Sequence, residues 1–185
     1  MRAMDSSLSV RLFSPRDAAP LMDLLHSAYA ELGASGLNYT AVDQDEDTTL
    51  RRASAGRCWV VERDGALVAT LTVSLPPSAG LRELTIEAAV ADRAWLNQVA
   101  VSPDLRGAGV ASHLWQLGRT WARTEGATSF GLDTAAPAEH LVHMYTRWGF
   151  QSAGVIHWSG KTYDSVVMTR SLDGCVRSPD VEVCG

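Results

Sequence analysis

The chain is short of the features that would place it in several common classes. It has three cysteines in 185 residues, and Cys58, Cys175 and Cys184 have neither metal-ligand nor redox-motif spacing. No histidine adjoins any of them, which argues against a catalytic thiol, and Cys58 opens an apolar run as a small buried residue would. No stretch approaches the ~18 apolar residues of a membrane span, and residues 1–10 contain no long apolar run, so the expectation is a cytoplasmic protein without a membrane partner. In that compartment Asn38-Tyr39-Thr40 carries no meaning as a glycosylation acceptor. Positive charge is also in deficit. Sixteen Lys and Arg against 21 Asp and Glu leave a net charge of −5, which disfavours nucleic acid as a partner. No Gly-Lys-Ser or Gly-Lys-Thr occurs after a glycine loop, and Gly107-Ala108-Gly109-Val110-Ala111-Ser112 lacks a third glycine, so neither a nucleotide-triphosphate loop nor a dinucleotide fingerprint is present.

What is present is an ordinary globular composition, 46% hydrophobic and 20% charged, in a length that supports one domain with its own core. The most informative stretch is 95–112. An apolar, strand-like run over 95–101 meets a proline and then a loop with Gly107 and Gly109 that opens into a helical pattern. The first N–H groups of such a helix have no intrahelical partner and sit at the positive end of its dipole, so a loop thin enough to admit an anion becomes an anion site. Arg106 adds a fixed positive charge. Taken alone, a glycine before a helix is as well explained by a plain turn.

The form of the loop is more specific. Arg-x-x-Gly-x-Ala over 106–111, after Val99-x-Val101-x-Pro103, resembles the loop with which the GNAT acyltransferases hold the pyrophosphate of acetyl-CoA. Downstream, Leu132-Asp133-Thr134 ends an apolar run, and Met144-Tyr145-Thr146-Arg147-Trp148-Gly149-Phe150 resembles the family's Leu-Tyr-x-x-x-Gly-Phe. The resemblance spans residues 8–172. It implies a mixed α/β fold: a mostly antiparallel sheet of about seven strands with a parallel, splayed pair in the middle, flanked by about four helices. One domain over 1–171 and a loose tail over 172–185 are expected.

Periodicity along the chain fits that expectation. A strand over 9–13 precedes a helix over 20–32, which Asp17 can cap and Gly33 can stop. Asp43, Asp45, Glu46 and Asp47 form an acidic run before a short helix over 48–53, with Asp47 as its cap. Strands over 58–61 and 67–73 flank Asp64-Gly65, a strong hairpin signal. The connection 78–93 holds a helical turn around 84–91. Val110, Leu114, Leu117 and Trp121 share one face of a long helix ending near Gly126, with Gly118 set for close packing on the sheet. A strand over 129–133, a helix over 138–148 and strands over 150–158 and 165–169 complete the chain.

The resemblance also implies site residues. Arg106, Gly107, Ala108, Gly109, Val110, Ala111 and Ser112 would hold the cofactor's pyrophosphate. Backbone groups of Val99 and Val101 would pair with its pantetheine arm, and the Val99 N–H would face the thioester oxygen. Tyr145 matches the family's usual general acid, although an aromatic core residue beside Leu141, Met144 and Trp148 is the plain alternative. Relatives often carry a Glu on the strand before the loop, where this chain has Trp95 and Asn97. Neither takes a proton at neutral pH, so Asn97 would position a water, or Glu87 or Asp92 would reach in. Where relatives often have an Asn this chain has Ala138, and Asp133 or Thr134 is left to supply that contact.

His140 and His143 lie three apart, but no third ligand accompanies them, so no metal is expected. Trp59, Trp95, Trp158 and Tyr163 are candidate walls for an acceptor pocket. The expected activity is direct acetyl transfer from acetyl-CoA to an amine of a small molecule or an exposed protein amino group, a cationic acceptor if the acidic run borders the cleft. Two alternatives stay open: an acyl-CoA-binding sensor or scaffold, and an enzyme using another acyl-CoA or an acyl carrier protein. Oligomeric state is left open between monomer and homodimer.

Overall fold

The computed structural model describes residues 7–172. Seven strands form one sheet: β1 (Leu8–Leu12), β2 (Arg57–Arg63), β3 (Ala66–Ser74), β4 (Arg93–Val101), β5 (Ser129–Ala135), β6 (Gln151–Ile156) and β7 (Ser165–Ser171). Their order is β1-β2-β3-β4-β5-β7-β6, antiparallel throughout except where β4 meets β5. The described helices are α1 (Ala18–Ala34), α2 (Thr40–Asp43), α3 (Glu46–Ser54), α4 (Ala79–Leu84), α5 (Val110–Thr124) and α6 (Glu139–Arg147). The two beyond the expected four, α2 and α4, are only 4 and 6 residues long, too short for periodicity to announce.

The β2–β3 hairpin turns on Asp64 and Gly65, at φ 53° and 81°. Positive φ at both central positions is what a two-residue turn matched to strand twist requires. Helix α5 lies across the sheet with Val110, Leu114, Trp115 and Gly118 buried. A Cβ at Gly118 would lie 3.0 Å from Val73 Cγ2 and 3.1 Å from Leu71 Cδ2, so its absence lets the helix approach β3. Trp115 anchors this face, edge-on to Phe130 at 4.8 Å and stacked on Trp148 at 5.7 Å. Burying a side chain of this size contributes roughly 1.5–3 kcal/mol. The opposite face is covered by Leu21, Leu24 and Leu25 of α1 over Cys58 and Val60.

Several local expectations are corrected. Helix α1 runs through Gly33, which is small because Val42 Cγ1 would lie 2.7 Å from a Cβ there. Asp17 does not cap it: its carboxylate accepts from Arg11 and from the Ser14 N–H, and the Arg11 guanidinium holds its pKa low. Asp45, not Asp47, caps α3, accepting from the Thr48 N–H at 2.8 Å. Leu172, placed in the tail by its polar sequence context, is buried, and its N–H donates to the Thr128 carbonyl at 2.8 Å. The rest of that tail, with Cys175 and Cys184, lies outside the described residues.

The main irregularity of the sheet is the parting of β4 from β5. They pair only at Arg93↔Ser129, Ala94↔Phe130 and Trp95↔Gly131. Beyond Trp95, β4 is bulged: the β3 register shifts and Gln98 takes φ 45°. A bulge breaks the two-residue alternation of faces. Asn97 donates to Ser74 Oγ at 3.0 Å, and Gln98 meets Gln44 at 3.5 Å, while Ala100 packs with α1 and Val99 and Val101 pack with the α5 side.

Gly131 sits at the last paired position, where a Cβ would penetrate the ring of the fully buried Trp95. Gly131→Ala is therefore expected to lower stability by about 1–3 kcal/mol through overpacking, read as a drop in urea midpoint. Gly80→Ala, in helix α4 with nothing within 4 Å of the new Cβ, is the control expected not to lower it, because Ala favours a helix over Gly.

Candidate functional site

Where β4 leaves β5, a cleft of about 840 Å³ opens. Its walls are Ala28, Tyr29, Glu31 and Leu32 of α1 on one side and His140, Leu141, Met144, Arg147 and Trp148 at α6 on the other. Val99, Ala100 and Val101 of β4 form its floor. Arg106, Gly107 and Gly109, with Val110, Ala111 and Ser112 of α5, close one end. Val99, Val101 and the sequence-predicted loop residues thus line one cavity, apart from Ala108, which stands within the same loop; Asn97 and Tyr145 are not among its lining residues. His140 lines it and His143 does not.

The loop has the geometry its sequence implied. Gly107 and Gly109 take φ 79° and 87°, left-handed values that cost other residues roughly 1–2 kcal/mol. Gly109 is the residue before α5, and the first helical bond runs from the His113 N–H to the Gly109 carbonyl at 3.0 Å. The N–H groups of Val110, Ala111 and Ser112 precede that bond, at the positive end of the helix. Arg106 reaches across the mouth instead of lying over the loop, donating to Glu31 Oε2 at 2.7 Å and to the Ala28 carbonyl at 3.0 Å.

Past Tyr29 the cleft gives way to a polar, aromatic end. The Tyr29 hydroxyl donates to the Val99 carbonyl at 3.0 Å. Its ring packs tilted against Tyr39 at 5.2 Å, and Tyr39 tilted against Tyr163 at 5.1 Å. The Tyr39 hydroxyl accepts from the Ala135 N–H at 3.0 Å and shares a hydrogen bond with Thr134 Oγ1 at 3.1 Å. Asp133 stands beside them on β5, its two oxygens taken by separate indoles: Trp95 Nε1 to Oδ1 at 3.1 Å and Trp158 Nε1 to Oδ2 at 2.8 Å. Burial raises the pKa of this carboxyl, while the two indole donors and the charge of Arg52 oppose the rise.

Arg52 of α3 donates to Gln44 Oε1 at 2.5 Å, and Gln44 Nε2 is held by Thr49 Oγ1 at 2.7 Å. Lys161 donates to the Asn38 carbonyl at 2.6 Å and to Thr40 Oγ1 at 3.1 Å. Asn38 also binds the Gly160 carbonyl and the Thr162 N–H, tying the β6–β7 loop over the α1–α2 link.

Tyr145 of α6 is buried with its ring edge-on to Trp148 at 5.6 Å. Desolvation, then the nearby Tyr29, Tyr39 and Asp133, push its pKa well above 10, so it stays protonated at neutral pH. Both nitrogen contacts of Asn97 are internal, to Ser74 Oγ and to the Trp95 carbonyl at 3.1 Å.

Other sequence candidates fall away from this end. Glu87 is ion-paired to Arg93, at the closed end of the β4–β5 pair. Asp92 stands just before Arg93, its carbonyl accepting from the Thr128 N–H. Trp59 lies on the α5 side, 6.0 Å from Trp121. Asp43, Asp45, Glu46 and Asp47 are exposed and outside the cleft lining. The residues that sequence reasoning passed over are Gln98, hidden by the bulge, and Arg52, a single cation after an acidic run.

Comparison with known proteins follows this geometry. Residues 20–150 match the sequence profile of the Acetyltransferase (GNAT) family. The chain is similar to the S-(2-succino)cysteine N-acetyltransferase of Bacillus subtilis (strain 168), at 30% identity over 164 residues, covering 88% of this chain and 94% of that protein. Among solved structures it is similar to an acetyltransferase of Salmonella typhimurium determined with its cofactor acetyl-CoA, with a TM-score of 0.66, 17% identity and coverage of 95% of this chain and 99% of that one. A GNAT-family acetyltransferase of Listeria monocytogenes superposes at 0.69, with 22% identity over 89% of this chain and 95% of that one.

Tyr39 joins three elements of the site through one hydroxyl. Tyr39→Phe strips the buried Ala135 N–H of its acceptor, an expected loss of about 1–3 kcal/mol, measured by urea denaturation with the cofactor absent.

Proposed function

The chain belongs to the GNAT acetyltransferase family and is an acetyl-CoA-dependent N-acetyltransferase, and on that premise we propose that its acceptor is a small amino acid bearing additional carboxylates, of the S-(2-succino)cysteine kind. The observation that carries this reading is Arg52, fixed by Gln44 beside the aromatic end of the cleft. Lys161 adds a second cation at the adjoining loop. An acceptor with carboxylates to neutralise fits these two groups better than the cationic acceptor that the acidic run would favour, because that run faces solvent. The acceptor of the Bacillus subtilis relative combines an amino group with several carboxylates and supports the same choice.

Within this reading, the α5 loop from Arg106 through Gly107, Ala108, Gly109, Val110 and Ala111 to Ser112 holds the pyrophosphate on its free N–H groups. Val99 and Val101 pair with the pantetheine arm, and the Val99 N–H stabilises the developing oxyanion. Tyr145, kept protonated by its apolar surroundings, gives its proton to the departing thiolate. Asn97 braces β4 against Ser74 at the opening and turns its remaining carboxamide oxygen to a water or to the acceptor.

Two measurements test this. Thiol release is followed with S-(2-succino)cysteine, a polyamine and a peptide with a free amino terminus. Turnover on the first is expected to exceed the others, and Arg52→Gln is expected to raise its KM about tenfold or more, as loss of a charged hydrogen bond does. Preference for the polyamine or the peptide overturns the acceptor. Tyr145→Phe is expected to lower kcat about 100-fold or more with acetyl-CoA affinity unchanged by calorimetry. Wild-type kcat in that variant removes the acid role.

A further inference from the structure

None of the expected positions on β4 carries a group that can take up a proton, yet an amine must be neutral to attack a thioester. The geometry points to Asp133, which we propose accepts the acceptor's ammonium proton while Trp95 and Trp158 act as positioning residues that fix the carboxylate. The inference rests on the placement of the acceptor beside Arg52 and the tyrosines.

Three observations carry it. The first is location. β5 stays paired to β7 at Asp133↔Val167, but its pairing with β4 ends at Gly131. Asp133 therefore stands two residues into the opening. Its contacts with Trp95 and Trp158 put it on the face with Arg52 and the tyrosines, and not on the α5 face.

The second is orientation. Each oxygen accepts one indole N–H and retains a lone pair, so the carboxylate is immobilised without being saturated. The third is the charge that surrounds it. Arg52 of α3 is the cation acting on it. Tyr39 before α2, Tyr163 of the β6–β7 loop and Tyr145 of α6 are the other titratable groups facing it, and all three are held protonated by burial. Aromatic burial favours the neutral carboxyl and raises its pKa, while the indole donors and Arg52 favour the anion.

The acceptor ammonium gives one proton to Asp133, and its nitrogen lone pair forms the C–N bond at the thioester carbonyl. The C–S bond breaks, the thiolate takes the Tyr145 proton, and the second nitrogen proton returns to Tyr145. The proton on Asp133 leaves to water, so acetyl-CoA and an ammonium yield amide, free thiol and one proton.

The alternative is that Asp133 only orients two indoles, and the pH dependence of kcat/KM separates the two. In the wild type, kcat/KM falls on the acid side as Asp133 protonates. Asp133→Asn is expected to abolish that limb and to lower kcat/KM by about 100-fold or more, with acetyl-CoA binding retained. Trp158→Phe removes a donor that stabilises the anion, so the Asp133 pKa rises and the limb moves to higher pH, by about one unit.

An acid limb set by the acceptor's own amine would not move in Trp158→Phe. A wild-type profile in Asp133→Asn, or an unmoved limb in Trp158→Phe, overturns the proposal, and the second variant decides should the first fail to fold. If the wild type acetylates some other amine in preference to a dicarboxylic acceptor, the acceptor assignment falls by itself. The same profiles recorded on that amine still decide Asp133.

Discussion

Two parallel strands that separate in mid-sheet leave backbone and side-chain polar groups without the ladder that would normally satisfy them, and much of this protein answers that constraint. β4 and β5 share only three paired positions. Beyond them the substitutes come from aromatic side chains. The Tyr29 hydroxyl serves the Val99 carbonyl, the Tyr39 hydroxyl serves the Ala135 N–H, and two indoles serve Asp133. Each strut brings a large apolar body and a single polar tip, so the polar groups it serves are paired without a strand ladder. The same rings are the walls against which an acceptor would lie. On the proposed acceptor placement, stability and function would draw on one set of residues at this end, whereas Trp115, among Phe130, Trp148 and Phe150, packs the α5 face.

The parts of this arrangement that were legible in the sequence are those determined locally. Asp64-Gly65 specifies its turn by the φ values it tolerates, and the α5 stripe of Val110, Leu114 and Leu117 specifies which face meets the sheet. Gly107 and Gly109 mark the loop because other residues resist its backbone. The parts that were not legible depend on contacts distant in sequence. Alternation along β4 assigned Trp95 and Asn97 to the acceptor side, but nothing in Asn97-Gln98-Val99 announces a left-handed residue at Gln98. That conformation is imposed by the sheet and turns Gln98 towards Gln44, more than fifty residues earlier. The acidic run was legible as charge but not as placement: composition gives the charge of a segment, not the direction it faces. Asp133 was visible as a polar residue ending a strand, yet its environment is made by Trp95, Trp158 and Arg52 from three other parts of the chain.

The two arginines at opposite ends of the site are prepared to different degrees, and this bears on the order in which the site is completed. Arg106 is exposed and paired with Glu31 across the mouth, an arrangement worth ~0–1 kcal/mol because water and salt screen it. A pyrophosphate held at the loop, as proposed, would offer this guanidinium charge-assisted hydrogen bonds roughly twice as strong as neutral ones. Arg52 has no such exchange to make. Gln44 holds it, Thr49 holds Gln44, and the Thr49 hydroxyl donates to the Asp45 carbonyl at the start of α3. A guanidinium fixed in this way loses little further freedom when a carboxylate arrives. On the proposed assignment a pyrophosphate would complete the cofactor end, whereas Gln44 and Thr49 already hold Arg52 in place at the other.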